Sequence, residues 1–220
     1  IDEFGGKSNH NEVLIDLMSN HEVFQNNFNV FVDVGAGFYE FGDGIVMDKH
    51  FEESIAFDFY EKFQNSQTKV YAFEPFEDAY EKLVLKRKSL QIPEETLKIF
   101  NTGIADTVGE MEWFGSQSTM TANKRIANHK EYQNKFSHYG NVTTIDEVLG
   151  NQENVDKINI LKTDTEGLEY EVLKGAHGFL SRKAIDLVIV EYGDRWSMSS
   201  FCAAYPVEEI GGGFFCCVFS

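Results

Sequence analysis

Short apolar runs alternate with amphipathic stretches along most of this chain. Runs rich in β-branched and aromatic residues, each closed by glycine, proline or an acid, predict β-strands. The main runs cover residues 29–34, 69–74, 97–105, 158–164 and 184–192, and a shorter one covers 109–114. Stretches with helical spacing precede or separate them, at residues 13–18, 77–90 and 168–176, the last ended by Gly175. A capped helical turn is predicted over residues 144–149, with Asp146 near its start.

Strands that alternate with amphipathic helices predict an α/β fold, a mostly parallel sheet with helices on both faces. The length of 220 residues suits one domain. We therefore expect a single domain over residues 1–220, with a helical lead-in at 1–28. Parallel sheets of this kind bind ligands outside the carboxyl ends of their strands, which makes the strand ends the place to look for a site.

Four predicted strands end at or beside an acid: Asp33, Glu74, Asp164 and Glu191. An acid at the end of the second strand often accepts hydrogen bonds from ribose hydroxyls. Each acid alone is more often structural, and Asp164 or Asp146 can serve simply as a helix cap. Their position together favours a ligand that contains a nucleoside.

The glycines after the first strand distinguish between cofactors. A dinucleotide site needs G-x-G-x-x-G, but Glu40 stands at the third glycine position after Gly35 and Gly37. A negative charge there opposes the binding of a pyrophosphate. S-adenosylmethionine, which has no phosphate, fits better than NAD, although an NAD-dependent enzyme remains the competing hypothesis.

Composition excludes several classes of protein. A hydrophobic fraction of 42% argues against disorder, and no apolar run is long enough for a membrane span. The net charge of −17 disfavours nucleic acid as a partner. The three cysteines, Cys202, Cys216 and Cys217, lack metal-ligand spacing. A reducing, cytoplasmic setting is the expectation.

Several segments together resemble the FkbM-like S-adenosylmethionine-dependent methyltransferases, from about Asn29 to Tyr192. The specific pieces are AFEP and K-x-D-x-E-G-x-E-x-x-V-L-K-G-A, and FVDVGAG, NTGIADTVGEMEWF, VTTIDEVL and IDLVIVEY accompany them in order. The resemblance implies a Rossmann-like class I methyltransferase fold, a seven-stranded sheet with its last strand antiparallel. It also implies methyl transfer to a hydroxyl of a sugar, a polyketide or another small metabolite, with a small-molecule or glycan acceptor as partner.

The same resemblance assigns the cofactor site residue by residue. It implies that a loop surrounds the methionine part of the cofactor, that an acid and the proline after it hold the ribose, and that a turn lies along the adenine. Asp164 faces the cofactor's amino group or the point of methyl transfer, Glu166 supports that loop, and Glu169 lies on the helix surface. The residues expected to bind the cofactor are Asp33, Gly35, Ala36, Gly37, Glu74, Pro75, Thr102, Gly103, Ile104 and Asp164.

The general base is predicted less sharply. Asp164 and His138 are the candidates, and His138 and His129 lie in a polar insertion, residues 115–141, expected over the acceptor site. A solvated loop histidine is the simpler interpretation of each. Asp164 and Glu191 end neighbouring strands and have oxygen ligands for a divalent ion, but no third ligand follows at motif spacing, so we expect no metal.

Aromatic residues near the strand ends allow two interpretations. Phe38, Tyr39, Phe41 and Trp113 either line a pocket or belong to ordinary core and loop packing.

Two regions depart from the family pattern. The segment between Gly37 and Glu74 is longer than one helix needs, and its extra stretch, residues 39–54, is expected to form a lid or a loop. The glycine- and cysteine-rich tail, residues 193–220, does not suggest the family's C-terminal hairpin, so we expect that hairpin to be incomplete. This tail favours an alternative function, a catalytically inactive or truncated Rossmann-like domain that binds a nucleoside or acts as a scaffold.

Overall fold

The computed structural model describes most of the chain between residues 29 and 191 and two segments near the C-terminus. The described residues are 14–15, 19, 29–37, 39–41, 50–52, 54–116, 119–121, 136–165, 167–191, 207–211 and 214–218. The first strands are β1 Val30–Val34, β2 Tyr39–Phe41, β3 His50–Glu52, β4 Lys69–Phe73, β5 Leu97–Phe100, β6 Gly103–Ile104 and β7 Gly109–Ser116. The later strands are β8 Thr119–Thr121, β9 Phe136–Thr143, β10 Ile158–Thr163, β11 Ile185–Glu191, β12 Val207–Gly211 and β13 Phe214–Val218. The helices are α1 Ile55–Phe63, α2 Glu77–Ser89, α3 Glu169–Gly175 and α4 His177–Ser181, with a π-helix at Asp146–Gln152.

Seven of these strands form the central sheet, in the order β12-β13-β11-β10-β1-β4-β5. The five strands from β11 to β5 pair in parallel, and β13 runs antiparallel to both of its neighbours. The expected mostly parallel seven-stranded α/β sheet is therefore confirmed. Because β1 lies between β10 and β4, the carboxyl ends of these three strands meet at the middle of one edge.

The tail prediction is wrong, because the C-terminal segment does form a hairpin. β12 and β13 pair antiparallel, with an irregularity between Glu209 and Gly211, and β13 pairs with β11 from Leu187 to Glu191. Gly211 ends β12, and only Gly212 and Gly213 separate it from β13 in the sequence, a place in which glycine is ordinary. The run FFCCV after them is apolar and aromatic, as a strand beside the buried β11 requires.

Both faces of the sheet are buried, which explains the nearly continuous apolar strands. On one face Phe31 stacks on Phe59 of α1, with ring centroids 4.3 Å apart. On the other face Val32 and Leu161 pack with Val172 of α3 in a second cluster. Alternate residues of β1 thus face opposite clusters, so Asp33 lies on the side of Phe31 and α1.

A second sheet and a short hairpin lie outside the central sheet. β6, β9, β7 and β8 form a four-stranded sheet in that order, which includes part of the predicted insertion at 115–141. The insertion is therefore partly strand rather than loop. β2 and β3 pair antiparallel within the extra stretch at 39–54. None of the helices in the described ranges is long and apolar enough to cross a membrane.

Helix capping differs from the sequence prediction in one place. Asp146 does not cap its own π-helix, where the Glu147 N–H instead donates to Thr144 Oγ1 at 3.0 Å. The Asp146 carboxylate accepts from the backbone N–H groups of Gly178 and Phe179, at 2.7 and 3.2 Å. It therefore joins the π-helix to the first turn of α4, a long-range contact that local sequence does not reveal.

The Asp146→Ala variant should lose about 0.5–2 kcal/mol of unfolding free energy, because two backbone donors at the start of α4 lose their acceptor. Urea unfolding measures this difference. Asp156→Ala, at an exposed position, is the matched control and should change stability by less than about 0.5 kcal/mol. Equal losses in the two variants would show that Asp146 has no capping role.

Candidate cofactor-binding site

A cleft lies where the carboxyl ends of β1, β4 and β10 meet. Six of the predicted cofactor residues line it, and a second group completes its walls. The predicted lining residues are Gly35, Glu74, Pro75, Gly103, Ile104 and Asp164, and the others are Val34, Phe73, Phe76, Trp113 and Thr165. The cleft thus gathers residues from five separate segments of the chain.

Gly35 permits the close approach of the loops after β1 and β10. Its φ is +76°, and a Cβ at this position would stand 1.8 Å from the carbonyl oxygen of Asp164. The Asp164 N–H donates to the Val34 carbonyl at 3.0 Å, which continues the strand pairing to the cleft. Only glycine fits there, because a side chain would displace the Asp164 backbone.

Glu74 follows β4 directly and is 1% exposed. Its Oε2 accepts from the Gly37 N–H and its Oε1 from the Phe76 N–H, both at 2.9 Å. Burial raises the pKa of Glu74 from 4.5 to about 7, although these two backbone donors and Lys162 oppose the rise. The carboxyl group therefore holds the glycine loop of β1 against the turn that leads to α2.

Asp33, Lys162 and Asp164 form a cluster of charges beside Glu74. Lys162 Nζ lies 3.2 Å from Asp33 Oδ1 and 3.5 Å from Asp164 Oδ2. The Asp33 and Lys162 side chains are 0% and 9% exposed, whereas Asp164 is 31% exposed at the cleft. The Ser54 hydroxyl donates to Asp33 Oδ2 at 2.7 Å and accepts from the Ala56 N–H, so it also caps α1. Asp33 therefore lies beneath the cleft and supports it.

Glu169 is a buried support and not a surface residue, which corrects the sequence prediction. It is 3% exposed, and its Oε1 accepts from Thr165 N, Thr165 Oγ1 and Gly167 N at 2.9, 3.0 and 3.1 Å. Burial raises its pKa despite these donors. The first turn of α3 therefore holds the loop after Asp164 in place. Glu166, predicted to support that loop, lies outside the described residues.

The remaining predicted residues fall outside the cleft or outside the described structure. Ala36 is buried in the core on the α1 side, and Gly37 contributes its N–H to Glu74. The Thr102 hydroxyl donates to the Asn141 carbonyl at 3.0 Å, which links the predicted adenine turn to β9.

His138 belongs to β9 opposite Trp113, but its side chain and those of Tyr39, Phe41 and Glu191 are not described. Phe38 and His129 lie outside the described residues. Within the described side chains, no group of three or more His, Cys, Asp or Glu residues is placed to hold a metal ion.

Sequence reasoning missed Lys162, Ser54, Phe76 and Thr165. Lys162 had a detectable signal, because a lysine inside an apolar strand is costly unless it is paired. Ser54 had one as well, since serine before an apolar helical run is a typical N-cap. Phe76 and Thr165 had no signal beyond their position after a strand.

Comparison with known proteins agrees with this geometry. A family model described as the methyltransferase FkbM domain matches residues 33–205, which is most of the chain. This chain belongs to the FkbM methyltransferase family. The match begins at Asp33, near the end of β1, and includes β4, β10 and all the described residues of the cleft.

A solved structure has the same fold as this FkbM-family chain. The crystal structure of methyltransferase FkbM from Methylobacillus flagellatus KT superposes with a TM-score of 0.52, at 15% sequence identity. The similarity covers 88% of this chain and 44% of that one, so this chain spans less than half of that protein's length. Comparison with curated proteins gave no match.

The stability of this FkbM-family domain should depend on pH through Glu74. Its folded pKa of about 7 exceeds its ordinary 4.5, so the folded state binds the Glu74 proton more tightly than the unfolded state. The free energy of unfolding of the wild type relative to Glu74→Gln should therefore fall as pH rises from about 4.5 to 7. The fall is at most about 3 kcal/mol, and the difference in unfolding free energy between the wild type and Glu74→Gln is constant above that pH range.

Urea unfolding at several pH values measures this difference. The exposed Glu77→Gln is the control, and a pH-independent difference would contradict the burial effect.

Removal of Lys162 should leave Asp33 charged and buried without its partner. Lys162→Met should therefore cost about 3–5 kcal/mol of unfolding free energy. The double variant Lys162→Met/Asp33→Asn should recover much of the loss, because the uncompensated charge is gone. Urea unfolding of the two single variants and the double variant completes the cycle. Additive losses would show that Asp33 and Lys162 do not interact energetically.

Proposed function

We propose that this chain is an S-adenosylmethionine-dependent O-methyltransferase. Membership of the FkbM methyltransferase family supports methyl transfer as the reaction class. The observation that carries the cofactor assignment is Glu74, a buried carboxyl group at the end of β4 that borders the cleft. An acid at this place in a parallel sheet is suited to ribose hydroxyls.

The chemistry of the described residues fits this cofactor. Each Glu74 oxygen accepts one backbone N–H, and a carboxylate has about four acceptor sites, so acceptor capacity remains for two hydroxyls. Three acids, Asp33, Glu74 and Asp164, surround one lysine, which favours a ligand with positive charge. Phe76 and Trp113 add an aromatic wall that suits a flat base.

The residues expected to hold the cofactor follow from this arrangement. The Gly35–Gly37 loop and Asp164 would lie along its amino-acid part, with Asp33 and Ala36 supporting the loop from below. Glu74 and Pro75 would face the ribose. Gly103 and Ile104 would face the base, and Thr102 would anchor their turn to β9 through its hydrogen bond to Asn141. When bound, S-adenosylmethionine supplies a methyl group on a positively charged sulfur.

The protein's own contribution is to orient the acceptor hydroxyl, exclude water and take the proton. Asp164 is the first candidate for proton acceptor, because it reaches the cleft with a 31% exposed side chain while Lys162 holds it at 3.5 Å. His138 of β9 is the second candidate. The acceptor class that we propose is a hydroxyl of a sugar, a polyketide or another small metabolite.

The alternative of an inactive or truncated scaffold has lost its main support. It rests on a tail whose sequence does not suggest the family's hairpin, whereas β12 and β13 form a hairpin beside β11. An NAD-dependent enzyme remains a distinct outcome of the binding test.

Calorimetric titration with S-adenosylmethionine, S-adenosylhomocysteine and NAD tests the proposal. We expect saturable binding of the first two and none of NAD. Labelled methyl transfer to a panel of hydroxyl-bearing sugars and metabolites then tests the reaction, with Asp164→Asn as the variant that should lose turnover at saturating cofactor. A folded chain that binds NAD, or none of the three ligands, would contradict the proposal.

Glu74→Ala should weaken the binding of S-adenosylhomocysteine by about tenfold or more, because hydrogen bonds to a charged group contribute about 1.5–3 kcal/mol. Calorimetry measures the change above pH 7, where Glu74 is mainly ionised. Glu77→Ala, three residues away and exposed, is the matched control and should bind normally. Unchanged affinity of a folded Glu74→Ala variant would refute the ribose role.

A further inference from the structure

The charges at the floor of the cleft do not balance among the described side chains. Lys162 Nζ lies 3.2 Å from Asp33 Oδ1 and 3.5 Å from Asp164 Oδ2. Lys162 and Asp33 are also near enough to Glu74 to act on its charge. One ammonium group offsets one carboxylate, so these three acids and the lysine carry a net negative charge when all are ionised.

Two of the three acids present this charge to the cleft. Glu74 and Asp164 line it, whereas the Asp33 side chain is 0% exposed and lies beneath it, bound to Ser54 and Lys162. Burial raises the pKa of Glu74 to about 7 although Lys162 opposes the rise, so the protein does not fully compensate the negative charge of Glu74. A positive charge on a ligand would supply the missing compensation.

The two ligands of a methyltransferase reaction differ in this charge. When the methyl group passes from S-adenosylmethionine to a hydroxyl, the carbon–sulfur bond breaks and its electron pair stays on the sulfur. A carbon–oxygen bond forms, the hydroxyl proton goes to a base, and the sulfonium becomes the neutral thioether of S-adenosylhomocysteine. Both ligands keep the same base, ribose and amino-acid part. Contacts to these shared parts therefore cannot distinguish them, but a charge close to the sulfur can.

We propose that Glu74 and Asp164 are specificity-determining residues whose negative charge favours the cationic cofactor over its neutral product. This inference rests on the proposed function, since it takes the methyl donor to be S-adenosylmethionine. Each methyl transfer removes the charge that the two acids attract, so the spent cofactor is released more readily than a cation would be. The two acids thus have a role apart from ribose binding and proton transfer.

The ratio of the two affinities tests the proposal. Calorimetry gives the affinities for S-adenosylmethionine and S-adenosylhomocysteine above pH 7, where Glu74 is mainly ionised. Glu74→Gln and Asp164→Asn each remove one charge with little change of shape, and each should shift the ratio towards S-adenosylhomocysteine by about three- to tenfold. Contacts of these residues with the ribose or the amino group cancel from the ratio, because both ligands contain them. An unchanged ratio in a folded variant would overturn the proposal for that residue.

A matched control separates the cleft from the charge of the whole chain, which is −17. Glu77→Gln removes the same charge from an exposed position on α2 and should keep the wild-type ratio. The shift in Glu74→Gln should also persist at about 0.15 M salt, where exposed charges more than about 8 Å apart are largely screened. Equal shifts in Glu74→Gln and Glu77→Gln, or a shift that disappears in salt, would assign the preference to the overall field and overturn the proposal.

The same titrations separate this inference from the proposed function. Wild-type protein that binds neither ligand would refute both together. Binding of both ligands, with a ratio that neither Glu74→Gln nor Asp164→Asn changes, would refute this inference alone. A shift in both variants and none in Glu77→Gln would support it.

Discussion

The ion pair between Asp33 of β1 and Lys162 of β10 is the constraint on which the centre of this fold depends. The two residues are register partners on neighbouring parallel strands, and both are buried. Neither charge is tolerable there alone, because an unpaired ion in a low-dielectric interior costs several kcal/mol. The pair therefore couples the register of β1 and β10 to the electrostatics of the strand ends.

The organisation of the cleft follows from this pair. Ser54 bonds to Asp33 and thereby places the N-terminus of α1, while Lys162 reaches the partly exposed Asp164 on the cleft side. Two other carboxyl groups, Glu74 and Glu169, accept backbone N–H groups from the loops that border the cleft. Burial raises the pKa of both, so the site holds acids that are less stable in the ionised form than in water. Shifted pKa values of this kind are typical of functional sites, where charged groups interact with a ligand as well as with the rest of the protein.

The sequence was sufficient to predict the five parallel strands of the central sheet, because β1, β4, β5, β10 and β11 lie in apolar runs with clear ends and the stretches between several of them have helical spacing. The acids Glu74 and Asp164 could be placed at one edge by the rule that parallel strands end together. The FkbM resemblance then added the roles of the glycine loop.

The parts that could not be predicted depend on contacts between distant segments. Glu169 looks like a surface residue in the sequence, because helical spacing does not say that a loop folds over its first turn. Asp146 bonds to α4, about thirty residues away, and the local pattern shows only a cap. The hairpin of β12 and β13 is not evident locally, because a glycine- and cysteine-rich sequence has no clear strand pattern and β13 is ordered against the distant β11. The environment of Trp113 forms only when β6, β7 and β9 assemble. Gly103 of β6 and Gly140 of β9 have no side chains and therefore leave room for its indole ring.

Amide hydrogen exchange with and without S-adenosylhomocysteine tests most directly the claim that the carboxyl ends of the strands bind the cofactor. Slower exchange reports local protection of the backbone. Protection is expected at residues 33–37, 73–76, 102–105, 111–113 and 163–165, each of which contains residues that line the cleft. The opposite edge of the sheet has its own pocket, lined by residues that include Lys69, Asn159 and Asp186. Protection confined to that edge would contradict the account.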